Sequence, residues 1–310
     1  MMNPTRKRRL AVAMNPVILS LALLAAACGS DADTSAADPS DIAPTTAEAS
    51  TAEESATDAT TDDSDPTAVS SGASCDEIAA QFVTAGSVNP DLADPEVSAT
   101  CDGDNVVVTS NGIPDYTYIE TSPGSPAAGN YVFTIPATPT MAEEVTDVPD
   151  LGTAAVALNG VPIYGPTEGT GGDVLSLEGA LSECGSHNGP TGFHIHQILT
   201  TDNTDCLFTP AEVAAAPQLV GYAFDGYPIY TGIDQYTSSW ELTDESLFAT
   251  DTWAAHSYVE GSGDLDQCNG LTDADGNYAY YTTETFPYVI GCYSGVVDVA
   301  AAGGGGGGGR

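Results

Sequence analysis

The chain has 310 residues and carries 44 Asp and Glu against five Lys and Arg, a formal net charge of −39. Four of the five basic residues stand at positions 6–9 and the fifth is Arg310. Without a basic surface the protein cannot neutralise phosphates, so we exclude nucleic acid as a partner, together with P-loop, Schiff-base lysine and arginine-clamp chemistry. The acidity itself is typical of a well-solvated surface.

The N-terminal segment has the composition of a bacterial lipoprotein signal. Residues 1–27 contain a basic start, an apolar stretch and three alanines directly before Cys28, the order found in cleaved export signals. We predict lipidation of Cys28 and attachment to the outer face of a bacterial membrane at the cell surface. An uncleaved anchor is disfavoured, because Asn15 and Pro16 leave fewer apolar residues than the roughly 18 that a spanning helix needs.

Two segments lack the residues that a hydrophobic core requires. Residues 28–72 are mostly Asp, Ser, Thr, Ala and Pro without any aromatic side chain, which predicts a disordered acidic tether. Residues 303–310 are glycines followed by Arg310 and predict an unstructured tail. The folded domain is therefore predicted over residues 73–302, a length sufficient for one large domain or two fused halves.

The six cysteines after Cys28 form an even set, which in an exported chain favours disulfides. They fall into three sequence-local couples of similar span. The predicted pairs are Cys75–Cys101, Cys184–Cys206 and Cys268–Cys292. A cysteine nucleophile or a thiolate metal site is then disfavoured.

Two capping boxes predict two short helices. In a capping box, a Ser or Thr side chain accepts a hydrogen bond from the amide of the third helical residue, and the Glu side chain of that residue accepts one from the amide of the Ser or Thr. Ser74 and Glu77 form the first box, and its helix is expected to end at Gly86. Thr209 and Glu212 form the second box.

Seven apolar or alternating segments, separated by Gly, Pro and Asp, predict β-strands. They are NVVVTS (105–110), YVFTI (131–135), TAAVAL (153–158), GFHIHQIL (192–199), QLVGYAF (218–224), NYAYYTT (277–283) and FPYVIGCY (286–293). The pattern predicts a mainly β fold, antiparallel and hairpin-rich, stabilised by disulfides and containing few short helices.

The middle of the chain repeats itself. The matching segments are AVALNGVPIYG (155–165) with GYAFDGYPIYT (221–231), and LSECGSHNGPTGFHIH (181–196) with LDQCNGLTDADGNYAYY (265–281). We predict an internal duplication with halves at about 155–206 and 221–292, each containing a β-hairpin with an Asn-Gly or Asp-Gly turn. Pro162 and Pro228 are expected at sheet edges or strand starts, because proline cannot donate to a strand ladder.

Two of the chain's four histidines stand one residue apart in GFHIHQIL. Strand alternation sends Phe193 and Ile195 into the core, and His194 and His196 to the opposite face. Two imidazoles on one face can hold zinc, copper or iron if a third ligand is present. His187, beside a disulfide cysteine, is the preferred third ligand.

Two acids, Glu183 and Asp225, are weaker candidates for that ligand, and His256 is interpreted as structural. A role without metal stays open for the pair itself, because neutral histidines can bond to backbone groups under a loop. In the second repeat, Ala279 and Tyr281 occupy the positions of the pair. Any site of this kind therefore belongs to the first half.

Other chemistry is weakly supported. The acidic turns CDGDN (101–105) and TDADGN (272–277) could bind calcium, but neither completes the calcium-loop pattern, and ordinary Asp-Gly turns explain them. The chain contains neither GxSxG nor HExxH, which disfavours the commonest hydrolase designs. Six tyrosines could line a sugar-binding surface, although strand packing explains them as well: Tyr164, Tyr230, Tyr278, Tyr280, Tyr281 and Tyr288.

A series of segments resembles the YHYH-domain family. In chain order they are SNGIPD, NGVPIYGP, SECGSH, FHIH, VGYAFDGYPIY, LDQCNG, NYAYY and FPYVIGCY. They cover residues 159–293, together with 110–115. The tetrapeptide that names the family corresponds to residues 193–196, where both histidines persist and Phe and Ile replace the tyrosines. The resemblance implies a secreted or cell-envelope protein and does not imply a reaction.

Three functional hypotheses follow. The first is a lipid-anchored protein that binds one divalent metal, zinc or copper, at His194, His196 and His187. The second is a metal-free recognition or adhesion module that uses its tyrosines. The third is an extracellular hydrolase in which the histidines act as general base or hold a catalytic metal. No catalytic residue is assigned, and a small-molecule, glycan or protein ligand stays open.

Overall fold

The structure, a computed structural model, describes residues 73–122 and 124–298. The predicted signal, the predicted lipidation site at Cys28, the predicted tether and the Gly-rich tail lie outside the described residues. Within them the chain forms mainly antiparallel sheets with three short helices and three disulfides. The predicted fold class is thereby confirmed.

The helices are short. They are α1 (Cys75–Ala79), α2 (Pro210–Ala215) and α3 (Thr252–Ala255), with a 3₁₀ turn at Val174–Ser176. Both predicted capping boxes are present, at Ser74 and at Thr209. Sequence reasoning missed α3, which has only four residues and begins where the Asp251 side chain accepts from the Ala254 amide. Among the described residues, no helix combines the length and the apolar character needed to cross a bilayer.

Helix α1 ends earlier than predicted. It stops at Ala79, not at Gly86, because the Gln81 and Phe82 amides bond to carbonyls three residues back, which tightens the last turn. Phe82 is nevertheless buried in the core, as is Ile78. The short helix therefore still packs its apolar face against the domain.

Fifteen strands form four sheets within the described residues. They are β1 (Val97–Asp102), β2 (Asn105–Ser110), β3 (Tyr131–Pro136), β4 (Met141–Asp147), β5 (Thr153–Ala157), β6 (Pro162–Tyr164), β7 (Ser186–Gly189), β8 (Gly192–Ile195), β9 (Leu219–Ala223), β10 (Pro228–Tyr230), β11 (Trp240–Leu242), β12 (His256–Tyr258), β13 (Gly270–Thr272), β14 (Tyr278–Tyr281) and β15 (Cys292–Gly295). The central sheet has the order β13-β14-β10-β9-β5-β6-β8-β7, and the smaller sheets are β1-β2-β3, β11-β12 and β15-β4.

The duplication appears as a symmetric order of strands about the antiparallel pair β5 and β9. On one side, β6 is antiparallel to β5, β8 is parallel to β6, and β7 is antiparallel to β8. On the other side, β10 is antiparallel to β9, β14 is parallel to β10, and β13 is antiparallel to β14. The two parallel pairs, β6 with β8 and β10 with β14, were not predicted. Each half thus places its second hairpin beside its first.

The centre of the sheet is the core of the domain. Every residue of β5 is buried, because this strand lies between β6 and β9 and is covered on both faces. Pro162 and Pro228 open β6 and β10, at the strand starts where proline was expected. Their position leaves the hairpin ladders intact.

One predicted strand is largely wrong. FPYVIGCY forms no continuous strand over 286–293, and only its last two residues belong to β15, which pairs with β4. Pro287 has no amide hydrogen to donate, and Tyr288 adopts a φ of 67°, which extended strands do not contain. The apolar residues of this segment are buried in turns.

The six cysteines are joined as Cys75–Cys101, Cys184–Cys206 and Cys268–Cys292. The last two bridges lie in the first and second repeat respectively. Three disulfides are typical of a protein that folds in an oxidising compartment.

Candidate metal centre

Three histidines converge on the outer hairpin of the first repeat. His187 in β7 and His194 in β8 are directly opposite each other in the antiparallel pair. Strand β8 ends at Ile195. His196 therefore lies one residue beyond the strand, whereas the sequence predicted it within the strand. Phe193 and Ile195 pack into the core, and all three imidazoles are buried.

The ring nitrogens of His187, His194 and His196 form one tight cluster. One ligand atom from each ring lies within 4.8 Å of the other two. The Nε2 atoms of His187 and His194 are 2.9 Å apart. Ring centroids are separated by 4.6 to 5.1 Å, with the planes steeply inclined. The rings therefore point at a common centre and do not stack side by side.

Backbone carbonyls set the tautomers of two of these rings. His194 Nδ1 is 2.9 Å from the Gly192 carbonyl oxygen, and His196 Nδ1 is 2.6 Å from that of Gly165. A carbonyl oxygen can only accept, so each Nδ1 carries the proton and donates it. Each Nε2 is then left with a lone pair, which is how metal-binding histidines are oriented in proteins.

Glu168 stands beside the cluster, in the loop after β6. Its Oε1 is 3.1 Å from His187 Nε2 and 3.7 Å from His196 Nε2. Its Oε2 accepts the amide hydrogen of Gly169 at 3.0 Å. Sequence reasoning missed this residue because nothing in GPTEGTGGD distinguishes one acid among 44.

Burial and charge hold these groups in the ionisation states of metal ligands. Burial lowers the pKa of His194 well below its usual value, and the neighbouring imidazoles add to the effect. Burial likewise lowers the pKa of His196 to about 4. The hydrogen bond from His187 lowers the pKa of Glu168 to about 2. Near neutral pH, His194 and His196 are therefore uncharged and Glu168 is a carboxylate.

The cluster has fewer hydrogen-bond donors than acceptor atoms that need one. His187 Nε2 has one proton at most, yet it faces both His194 Nε2 and Glu168 Oε1, so it cannot satisfy both. His196 Nε2 is buried and has no hydrogen-bond partner in the described part of the chain. No lysine or arginine lies among residues 73–298 to compensate the carboxylate. Converging lone pairs beside a negative charge fit a bound cation.

The other sequence candidates lie apart from this cluster. Glu183 is exposed and accepts a hydrogen bond from the Thr204 hydroxyl. Asp225 is buried in the second repeat, where it bonds to Tyr280 and two backbone amides. His256 is stacked on Phe286 with ring centroids 4.0 Å apart, which fits its structural interpretation. The acid that lies beside the cluster is Glu168, which was not among the predicted candidates.

The two acidic turns are ordinary hairpin connections. Residues 102–105 join β1 to β2 through Gly103, whose φ is 59°. In the second turn, Asp273 accepts hydrogen bonds from the amides of Asp275 and Asn277 and from the Asn277 side chain. This is the self-bonding of an Asp turn. Both carboxylate oxygens of Asp273 thereby accept hydrogen bonds from within the turn.

Three of the six tyrosines considered for a sugar-binding face are buried. Tyr278 bonds to Asp266, Tyr280 to Asp225 and Tyr288 to Asp173. Their hydroxyls are therefore occupied inside the domain.

The fold and the site together define a disulfide-bonded, internally duplicated β-sheet protein with a buried three-histidine cluster in one repeat. The chain belongs to the YHYH family: the model of that family, described as "YHYH protein", matches residues 132–295, more than half of the chain. No curated protein and no solved structure is found to match the sequence.

Proposed function

We propose that this protein binds one divalent transition-metal ion through His187, His194 and His196. The observation that carries the proposal is the convergence of three buried imidazole nitrogens within 4.8 Å, with two tautomers set by backbone carbonyls. Imidazole nitrogen suits zinc and copper, whereas calcium prefers oxygen. We therefore propose zinc or copper at the histidines, with Glu168 offsetting part of the ion's charge.

We also propose that the protein is exported and held at the outer face of a bacterial membrane by lipid on Cys28. The lipoprotein-like order of residues 1–28 supports this location. The three disulfides are consistent with an extracellular protein. Labelling of growing cells with a radioactive fatty acid should mark the wild-type protein and leave Cys28→Ala unmarked; equal labelling of both would contradict lipidation at this residue.

Metal analysis of the full chain tests the metal site. The wild type, loaded with Zn²⁺ and washed with excess Ca²⁺ to clear acidic surfaces, should retain about one ion per chain. His194→Ala combined with His196→Ala should retain almost none, because one imidazole cannot hold the ion. His256→Gln is the matched control, since it changes the histidine outside the cluster, and should behave as the wild type. Near-zero content in the wild type, or equal content in the double variant, would refute the site.

Replacing Glu168 by Gln should weaken metal binding while leaving the three histidines in place. The change keeps the shape of the side chain and removes the negative charge that lies 3.1 Å from His187 Nε2. Loss of a group that orients a ligand typically costs roughly 10- to 100-fold in metal affinity. Competition with a chromophoric chelator measures the effect, and Glu183→Gln, an exposed acid away from the cluster, is the control. Unchanged affinity in Glu168→Gln would show that the carboxylate plays no part.

A further inference from the structure

A cavity of about 280 Å³ adjoins the histidine cluster. The three histidines and Glu168 form one part of its wall. Much of the remaining wall is apolar or lacks a side chain, and includes Leu151, the Tyr164 ring, Pro190 and glycines. An ion held by the histidines would therefore be reachable from a space large enough for a small organic molecule.

The wall also holds one unused polar group. Thr167 is 4 % exposed and lines the cavity. Its hydroxyl is buried and has no hydrogen-bond partner among the described residues. Buried hydroxyls are normally bonded, because an unmade bond is costly. Because this hydroxyl has almost no exposed surface, a molecule in the cavity would bond to it only after the Thr167 side chain rotates.

The apolar wall of the cavity favours an uncharged molecule, because a charged group there would lose its hydration without gaining a partner. A cation would be repelled by the bound metal. An anion would be attracted by the metal, although the Glu168 carboxylate reduces this attraction and residues 73–298 contain no lysine or arginine to add to it. An uncharged molecule with an apolar body meets no repulsion.

We assign the three histidines, whose nitrogens all lie within 4.8 Å of one another, as the protein ligands, and Glu168, with its Oε1 3.1 Å from His187 Nε2, as the neighbouring charge. Sites with three protein ligands commonly leave a fourth position to water or substrate. We propose that the fourth coordination position of the metal faces this cavity and binds a small uncharged molecule through a nitrogen or oxygen lone pair. This inference rests on the proposed function.

Gly169 offers a way to narrow the cavity without straining the backbone. It lines the cavity, an added Cβ would meet nothing within 4 Å, and its φ lies outside the left-handed region. Gly169 is exposed, so Gly169→Phe should add a ring at the exposed part of the lining and narrow access to the metal while the histidines stay in place. Leu151→Trp enlarges another exposed side chain of the lining. Leu177→Phe, at an exposed position outside the lining, is the control.

The test uses the full chain loaded with Co²⁺, whose visible spectrum reports a change of ligand, titrated at about pH 8, where imidazole is uncharged. Imidazole should change the spectrum of the wild type and of Leu177→Phe, with affinity at least roughly tenfold lower in Gly169→Phe and Leu151→Trp. Azide, a small anion, should bind weakly to the wild type and roughly tenfold more tightly to Glu168→Gln.

Metal content, measured in the same samples, separates failure of this inference from failure of the proposed function. No spectral response of the metal-loaded wild type to imidazole would overturn the open position. Equal imidazole affinity in the wild type and in both cavity-narrowing variants would overturn the cavity as the binding space. Absence of bound Co²⁺ from the wild type would instead overturn the metal site itself.

Discussion

Zn²⁺ added to the metal-free chain should raise its unfolding temperature by roughly 10 °C, and His194→Ala with His196→Ala should abolish the gain. An ion that binds only the folded state adds about 4 kcal/mol when its free concentration is roughly a thousand times Kd. For a domain of this size, each kcal/mol corresponds to a few degrees. Thermal unfolding followed by circular dichroism measures the shift.

The folded state binds better than the unfolded chain for a structural reason. The three histidines are close in sequence, so the unfolded chain keeps some affinity, which reduces the gain. The Gly165 carbonyl that holds His196 and the Glu168 carboxylate come from the loop after β6. They reach the histidines only when β6 pairs with β8. The stabilisation therefore depends on the tertiary fold.

Two controls address nonspecific binding to so acidic a protein. Ca²⁺ at the same concentration should give only a small shift, because calcium prefers oxygen ligands. His256→Gln should respond to Zn²⁺ as the wild type does. An equal Zn²⁺ gain in the double variant would mean that the ion acts at surface acids, and the proposed centre would be wrong.

The sequence predicted what depends on local pairing. His187, His194 and His196 were predicted as one set from nearby positions in the chain, although the β7–β8 hairpin was not predicted and His196 lies just beyond β8. The hairpins of the two repeats carry their own turn residues, Asn-Gly and Asp-Gly. Local information was sufficient for these features.

What escaped prediction depends on distant contacts. Glu168 lies at the site because β6 pairs in parallel with β8. The predicted hairpins do not include that pairing. FPYVIGCY was wrongly predicted as a strand, because a buried turn and a buried strand can have the same apolar composition. In both cases the tertiary neighbours decide the outcome.

Asp225 occupies, in the second repeat, the turn position that Asn159 holds in the first. Asn159 Oδ1 accepts the Val161 amide, and Asp225 Oδ1 accepts the Tyr227 amide, two residues on in each case. The other carboxylate oxygen of Asp225 accepts from the Tyr280 hydroxyl and the Gly295 amide. The second repeat has thus built a buried network of acid and tyrosine.

This network should make stability depend on pH. Burial raises the pKa of Asp225 from 3.8 to about 6, even though hydrogen bonds from Tyr280 and from backbone amides oppose the shift. Between about pH 4 and pH 6 the unfolded chain ionises at this residue before the folded chain does, so the free energy of unfolding falls as pH rises. Two pKa units correspond to about 3 kcal/mol, after which the contribution is level.

Asp225→Asn removes this titration, so the stability advantage of the wild type over the variant should shrink by about 3 kcal/mol between pH 4 and pH 7. Urea unfolding at several pH values measures the difference. Other titrating groups in the network, such as Asp266, are common to both proteins and largely cancel. Asp275→Asn, which changes an exposed acid, should keep the wild-type slope. Parallel curves for wild type and Asp225→Asn would contradict the prediction.

Asp225→Asn also tests whether the two repeats behave independently. Ala279 and Tyr281 stand where the first repeat has His194 and His196, so the second repeat offers no imidazole at the matching place. Both carboxylate oxygens of Asp225 accept hydrogen bonds, and Asp225 is not in the histidine cluster. Asp225→Asn should therefore change the pH dependence of stability and leave metal content near one ion per chain. Loss of the metal on this substitution would instead mean that the two repeats are coupled through the central β5–β9 pair.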